Sequence, residues 1–238
     1  MLIDPYSLRH DLRRLEEIEK ASLRLVVQAI HDYRELAVEI FHRESDLVAD
    51  IGEDITREAL DRMGTAKIDG RLFGKIDYKR ARYLFHPEYA VKQALFVDSK
   101  AEKTSGQRTA TLQTSQFSMK VRQERVNKTV EVQGELPSIL QIHGDTYITT
   151  TVFVKYNYTS STDDNNVLRS ITIAALPNGL LQERYNPSAT DSIWLAGRNA
   201  PSRGEVFRVR LAFSKLKAKA GWRVQHLELD RSEFVWSE

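Results

Sequence analysis

The hydrophobic pattern of this chain changes its period once, and that change constrains the fold more than any other feature. In the first quarter, apolar residues recur every three, four or seven positions, which is the period of an amphipathic helix. This pattern predicts a long helix over residues 8–40, which Ser7 can cap, and a second helix over about 47–63. After Gly70 the segments become rich in β-branched and aromatic residues, which favour strands. We therefore predict an α/β protein with helices first and a mixed sheet after.

The strand pattern is clearest in four stretches. They are RLFGKIDYKRARYLF (71–85), AVKQALFVDSKAEK (90–103), TYITTTVFVKYNY (146–158) and NVLRSITIAAL (166–176). A turn at 86–88 joins the first two, and SSTDDNN indicates a hairpin connection between the last two. GEVFRVRLAF predicts another strand, FSKLKAKAG one or two helical turns, and WRVQHLEL a strand that closes the sheet. We interpret the polar residues 103–116 as a loop that can contain a short helix.

These elements fit a single domain of 238 residues, with a helical part at 1–64 and a sheet at 70–238. The chain has no cysteine, which excludes disulfides and thiolate metal sites, and we expect a cytoplasmic protein. It has no apolar run of membrane-spanning length, and because its first residues lack an apolar stretch we expect no secretion signal. Glycine-rich phosphate loops and dinucleotide motifs are absent as well, so we expect no nucleotide cofactor.

Charge is unevenly distributed along the chain. Residues 1–61 hold 15 acidic and 8 basic side chains, whereas the remainder holds 18 acidic and 27 basic ones. A basic remainder joined to an acidic helical part is compatible with a polyanionic partner bound on one face. Ordinary variation of surface charge is the alternative interpretation.

The stretch ALFVDSKAEK carries the strongest chemical signal. Residues two apart on a strand share a face, so Asp98 and Lys100 lie on one face behind the apolar Phe96. Asp77, in the preceding extended segment, can meet Asp98 at adjacent strand ends. Two carboxylates suit a hard cation such as Mg²⁺, which polarises a phosphoryl oxygen and activates water. Lys100 can orient that water and stabilise the charge on phosphorus.

The pattern of one Asp followed some twenty residues later by Asp-x-Lys is that of the PD-(D/E)xK nucleases. Glu53, on the second predicted helix, can add a further ligand through water. Both features have a structural alternative. Asp-x-Lys also occurs as a salt bridge at a strand end, and Glu53 can lie on a solvated helix face.

A basic strand provides candidate contacts to DNA. Alternation in RGEVFRVRLAF puts Arg208 and Arg210 on one face, and Arg198 and Arg203 lie in the loop before it. Arginine forks can pair with guanine O6 and N7 in the major groove, or with phosphates. Residues 198–223 contain eight Lys and Arg but only one acid. The candidate contacts are Arg198, Arg203, Arg208, Arg210, Gln113 and Gln116.

The chain also resembles the SfiI-type restriction endonucleases and, more distantly, BglI. The similar blocks, in the same order, are EDITREAL, IDYKRARYL, LFVDSKA, LQTSQFSM, ERYNP and GRNAPSRGEVFRVRLAF. The resemblance implies a restriction-endonuclease fold in which Asp77, Asp98 and the backbone carbonyl of Ser99 bind Mg²⁺ and Lys100 completes the site. It implies that Arg208 and Arg210 read guanines. Arg198 stands where the family carries lysine, which leaves the target sequence open.

The resemblance further implies cleavage of double-stranded DNA at an interrupted GC-rich palindrome with GGCC-like half-sites, leaving 3′ overhangs. A palindromic target requires two-fold symmetry, so we expect at least a homodimer, with a tetramer as a further option. Two alternative functions remain open at this stage. One is a structure-specific nuclease of repair or recombination with the same fold, and the other is a non-catalytic DNA-binding protein.

Overall fold

The structure is a computed structural model that describes most of the chain. The described residues are 2–44, 48–68, 72–73, 78–79, 81–103, 108–125, 127–160, 165–195, 209–229 and 233–238. Four predicted site residues lie outside these ranges, namely Asp77, Arg198, Arg203 and Arg208. No helix in the described ranges is long and apolar enough to cross a membrane.

Three helices precede the sheet. They are α1 (Leu12–Asp32), α2 (Arg34–Arg43) and α3 (Val48–Asp61), after a 3₁₀ helix at Pro5–Arg9. The prediction of one continuous helix over residues 8–40 is therefore wrong, because the chain breaks at Asp11 and again at Tyr33. The prediction that Ser7 caps it is also wrong. Asp11 caps α1 instead, since its carboxylate accepts a hydrogen bond from the Arg14 amide at 3.0 Å.

A mixed sheet forms the centre of the molecule, as predicted. Its strands are β3 (Arg82–His86), β4 (Val91–Lys103), β8 (Ile139–Ile142), β9 (Asp145–Ser160), β10 (Asn166–Leu176) and β13 (Val224–Glu228). They lie in the order β13-β10-β9-β4-β3, with β8 paired to the start of β9. Strands β4 and β9 are parallel and the other neighbours are antiparallel. The long β-branched runs thus form the two central strands, β9 and β10, with β4 beside β9.

A second, smaller sheet contains one strand where a loop was predicted and another, β12 (Val209–Ala212), within the predicted strand GEVFRVRLAF. Its order is β11-β12-β5, from β11 (Trp194–Leu195), β12 (Val209–Ala212) and β5 (Thr109–Leu112). The loop prediction for residues 103–116 is therefore wrong in part, because it missed β5. Ala110 and Leu112 alternate with threonines and are buried, so this short segment has the period of a half-buried strand despite its polar composition. A 3₁₀ helix at Thr114–Gln116 follows directly.

The remaining elements are short. Two-stranded ribbons are formed by β1 (Leu72–Phe73) with β2 (Tyr78–Lys79), and by β6 (Lys120–Arg125) with β7 (Lys128–Gln133). The last two helices are α4 (Gln182–Tyr185) and α5 (Phe213–Lys219). The predicted helical turns after residue 213 and the predicted closing strand β13 are both confirmed.

The central sheet separates two apolar clusters. On one face, Val152, Val154 and Tyr156 of β9 pack with residues of α1, α2 and α3. On the other face, Phe153 packs with Leu211 and other residues of the small sheet. Strand β4 therefore lies between a helical layer and a layer built from short strands, and the site forms where the second layer meets β4.

Candidate active site

The two faces of β4 differ sharply in character. Leu95 and Ala101 are buried in the cluster that contains the helices, whereas Phe96 is buried in a separate cluster on the other face. Beyond Phe96 that second face opens, because Asp98 and Lys100 are only partly buried. The alternation inferred from the sequence is thus observed, and the acid and the base lie at the point where the apolar face ends.

The Asp98 carboxylate is held by Gln116, which lies in the 3₁₀ helix after β5. The side-chain amide nitrogen of Gln116 donates a hydrogen bond to Asp98 Oδ2 at 2.5 Å. The amide oxygen of Gln116 accepts from the backbone N–H of Gln113 at 2.7 Å. Both ends of this amide therefore have partners within the chain, and one of them is the central carboxylate of the site.

A buried lysine lies beside Lys100. Lys155 of β9 is opposite Lys100 in the parallel ladder, and its side chain is fully buried. Its Nζ pairs with Glu102 at 2.7 Å and donates to the carbonyl oxygen of Thr109 at 2.6 Å. Burial lowers the pKa of Lys155, the Glu102 carboxylate opposes this, and the charges of Lys100 and Arg210 lower the pKa further.

The two lysines are therefore not equivalent. The Lys100 side chain is 44% exposed, and its Nζ is 3.9 Å from Glu102. Lys155, by contrast, is enclosed between β4 and β5. Of the two, Lys100 is the one open to solvent, whereas Lys155 bridges the strands around it.

Helix α3 approaches the opposite face of β4 very closely. A Cβ atom on Gly52 would lie 3.2 Å from the Ala101 nitrogen and 3.1 Å from a ring carbon of Tyr156. The Ser99 hydroxyl donates to the Gly52 carbonyl at 3.1 Å. Glu53 follows Gly52 on α3, the helix that packs on the face of β4 opposite Asp98, and its side chain is exposed. Its predicted role as a water-mediated ligand stays a prediction.

The small sheet brings a described arginine towards the same site. Arg210 pairs with Thr111 of β5, and its neighbours Val209 and Leu211 are buried on the opposite face of β12. The Arg210 charge acts on Lys155, so the guanidinium lies near the polar face of β4. Its Nε has no hydrogen-bond partner among the described residues. Gln113 lies at the start of the turn that carries Gln116 and is partly buried.

The donors that the structure describes fit a hard cation only in part. Asp98 and the Ser99 carbonyl supply oxygen atoms, which Mg²⁺ prefers. No group of three or more acidic or histidine side chains that could hold a metal occurs within the described ranges. The predicted set contains one described carboxylate, Asp98, and one that lies outside, Asp77. Strand β3 pairs with β4 from Arg82, which is opposite Leu95, three residues before Asp98.

Comparison with known proteins gives this geometry a family. The family model described as "Type II restriction enzyme SfiI" matches residues 34–227. The type II restriction enzyme SfiI of Streptomyces fimbriatus is 37% identical over 230 residues, which cover 91% of this chain and 85% of that protein. This chain belongs to the SfiI family of type II restriction enzymes. The resemblance inferred from the sequence blocks is thereby confirmed.

Solved structures agree with the SfiI family assignment. Tetrameric SfiI bound to cognate DNA superimposes with a TM-score of 0.80 at 34% identity, covering 95% of this chain and 88% of that one. BglI bound to its DNA recognition sequence gives a TM-score of 0.73 at 16% identity, covering 95% of both chains. The second similarity concerns the fold. The predicted restriction-endonuclease fold is confirmed, and the chain is a site-specific endonuclease of a restriction system.

Sequence reasoning missed three features of this SfiI-family site. It did not identify Lys155 or Glu102, and it treated Gln116 only as a candidate DNA contact. A signal for Lys155 was present, since it is the one charged residue in TYITTTVFVKYNY. A charge inside a strand of apolar and β-branched residues is costly unless it is paired, so Lys155 could have been predicted to have a buried acidic partner. The partner of Gln116 depends on β5, which the sequence pattern did not reveal.

Proposed function

We propose that this protein is a Mg²⁺-dependent type II restriction endonuclease that hydrolyses phosphodiester bonds in double-stranded DNA at a specific sequence. One observation carries the proposal: Asp98 and Lys100 lie on the open face of β4, just beyond the apolar part of that face. On the opposite face, the same strand is fixed against α3. A charged pair on a rigid strand in an enzyme family that cuts DNA is best explained by chemistry on a phosphate.

Each residue has a separate role in the proposal. Asp77, Asp98 and the Ser99 carbonyl would hold the Mg²⁺ ion, and Glu53 would add a carboxylate through water. The bound ion supplies polarisation of the phosphate and a water of lowered pKa. Lys100 orients the attacking water and stabilises the negative charge that builds on the phosphoryl oxygens.

The arginines give the proposed sequence specificity. Arg208 and Arg210 would pair with guanines in the major groove, while Arg198 and Arg203 would contact bases or phosphates, with Gln113 beside them. The recognition site that we propose, as the resemblance of the sequence blocks implies, is an interrupted GC-rich palindrome with GGCC-like half-sites that is cut to leave 3′ overhangs. A palindrome is read by symmetric copies, so we propose a homodimer at least, and a tetramer like that of SfiI. The bacterial relative and the lack of cysteine support action in a prokaryotic cytoplasm.

Digestion of a plasmid of known sequence tests the proposal. With Mg²⁺ present, we expect discrete fragments whose ends, when sequenced, define one recognition site and its overhang. With EDTA, the plasmid should stay intact. Ragged fragments without a common sequence, or cutting confined to branched or flapped DNA, would favour a structure-specific repair nuclease. DNA binding without any cleavage would instead indicate a non-catalytic protein.

A further inference from the structure

Two hydrogen-bonded links connect the segment around β5 with the polar face of β4, one at the start of β5 through Lys155 of β9 and one from the 3₁₀ helix after β5. At the start of β5, the Thr109 carbonyl accepts a hydrogen bond from Lys155, which also pairs with Glu102 of β4. Just past the end of β5, Gln116 donates to Asp98 of β4. The four residues of β5 are therefore attached to the polar face of β4 on both sides.

The same strand carries the candidate base-reading residue on its other edge. β5 pairs with β12 in an antiparallel ladder in which Arg210 is opposite Thr111. One hydrogen-bonded strand thus separates the arginine that is proposed to read DNA from the carboxylate that is proposed to hold the metal. If β12 were displaced, the hydrogen bonds between the two strands would displace β5 with it. The turn after β5 would then move the side-chain amide of Gln116.

The orientation of the Gln116 amide is fixed by its second partner. A backbone N–H can only donate, so the amide atom that faces the Gln113 nitrogen at 2.7 Å must be the oxygen. The NH₂ group is thereby directed at Asp98 Oδ2. A carboxylate that accepts from a fixed donor loses rotational freedom, and one of its oxygens is set in place relative to β4.

We propose that Gln116 is a positioning residue: it orients the Asp98 carboxylate for metal binding and makes that orientation depend on the placement of the base-reading sheet. The inference rests on the proposed function and adds a residue to it. It also changes the prediction for Gln116, whose side chain serves the metal ligand rather than DNA. Residues that orient a metal ligand typically contribute about 10- to 100-fold in metal affinity or activity.

Two substitutions test the positioning role. Gln116→Ala removes the donor, and Gln116→Glu keeps the shape and the acceptor but turns a second carboxylate towards Asp98. We expect Gln116→Ala to weaken Ca²⁺ binding to the protein–DNA complex, measured by calorimetry, by about 10-fold or more, with Gln116→Glu at least as weak. Single-turnover cleavage should need a correspondingly higher Mg²⁺ concentration. DNA affinity measured in EDTA should stay within about 2-fold of the wild type.

Thr114→Ala is the matched control. It removes a side chain from the same turn, but the Thr114 hydroxyl donates to Glu135 at 2.7 Å and not to Asp98. We expect its Ca²⁺ affinity and cleavage to match the wild type. Thermal unfolding of all three variants shows whether the turn is intact, and Gln116→Glu offers a second reading if Gln116→Ala does not fold.

The outcomes separate this inference from the proposed function. A wild-type protein without nuclease activity contradicts the proposed function itself. An active wild type whose Gln116 variants bind Ca²⁺ normally, but bind DNA more weakly in EDTA, would overturn the positioning role and restore a DNA contact. Normal Ca²⁺ binding together with normal DNA binding would overturn it as well.

Discussion

The two faces of strand β4 differ in what packs against them and in what they do. On the helical face, α3 lies so close that Gly52 has little room for a Cβ, and the polar side chains Ser99 and Gln93 bond to the helices: Ser99 donates to the Gly52 carbonyl and Gln93 accepts from Ser22 of α1. On the other face, Asp98, Lys100 and Glu102 meet charged and amide partners from β9 and from the turn after β5. One face holds the strand still, and the other presents its charges.

This difference explains how charged groups can sit on a strand of the central sheet. A strand packed on both faces by apolar layers cannot carry an acid and a lysine without large desolvation costs. Here the second layer is a small sheet that leaves the end of β4 partly open. The rigid face fixes the backbone, so the open face can hold its side chains in one geometry.

Lys100→Ala tests the open face of β4 alone and should have the largest effect on cleavage. We expect single-turnover cleavage to fall by about 10³-fold, since a fixed donor to the developing negative charge is lost. The free energy of unfolding should change by less than about 1 kcal/mol, because the Lys100 side chain is partly exposed and its nearest acid, Glu102, is 3.9 Å away. Rates on a plasmid with one mapped site, together with chemical denaturation, measure both quantities.

Lys103→Ala is the control for Lys100→Ala. Lys103 lies three residues further along the same strand and is exposed, so its loss removes the same charge without removing the proposed donor. We expect near wild-type cleavage. Cleavage by Lys100→Ala at the wild-type rate would remove Lys100 from the active site.

Lys155→Met tests whether the buried lysine beside Lys100 stabilises the fold. The substitution leaves the Glu102 carboxylate without its 2.7 Å partner and the Thr109 carbonyl without its donor. Removal of one partner of a buried pair is strongly destabilising, and because Glu102 retains some solvent contact we expect a loss of roughly 2–4 kcal/mol. Denaturant unfolding monitored by circular dichroism gives the value.

The double variant Lys155→Met/Glu102→Gln is the control for that loss. It removes both charges, so much of the stability should return. An unchanged stability of the single variant would contradict the structural role of Lys155 and would leave it as a second candidate for the chemistry.

Much of the fold could be predicted from the sequence, because periodicity reports burial directly. The long strands β9 and β10 and the helix α3 carried clear patterns. The break at Tyr33 could not be predicted, since the apolar stripe continues through it and the ring is buried between helices, where its hydroxyl donates to Glu58 at 2.5 Å. That contact is tertiary, and local pattern does not contain it.

The site shows the same division between local and tertiary information. Asp98 and Lys100 could be paired from strand alternation alone. The contacts to Gln116 and Lys155 join residues from separate strands and turns, so they depend on strand order and register. Strand β5 was missed because its four residues are half polar, and the residues that depend on it were missed or misassigned with it.

Arg210→Ala tests the small sheet, which is the layer on the open side of β4. If Arg210 reads a guanine, its loss should reduce discrimination between the specific site and a site with one changed base pair by roughly 1–3 kcal/mol. Binding titrations on both duplexes, at one fixed salt concentration, measure the difference. Equal weakening on both duplexes would assign Arg210 to phosphate contact. Arg169→Ala, on β10, removes an exposed arginine that donates to Thr159 at 2.9 Å and serves as the control.

Tyr156→Phe tests the helical face of β4 and should have the smallest effect on cleavage. The Tyr156 hydroxyl shares a 2.8 Å hydrogen bond with Thr56 of α3, and both groups are buried. Its loss leaves the Thr56 hydroxyl unpaired, which should cost about 1–2 kcal/mol of unfolding free energy. Adding Thr56→Val removes the unpaired group and should recover part of that loss. Cleavage under stable conditions should match the wild type, because the substitution leaves the backbone of β4 against α3. Slower cleavage under conditions in which the variant is fully folded would contradict this. It would mean that the helical face of β4 affects the activity of the site as well as its stability.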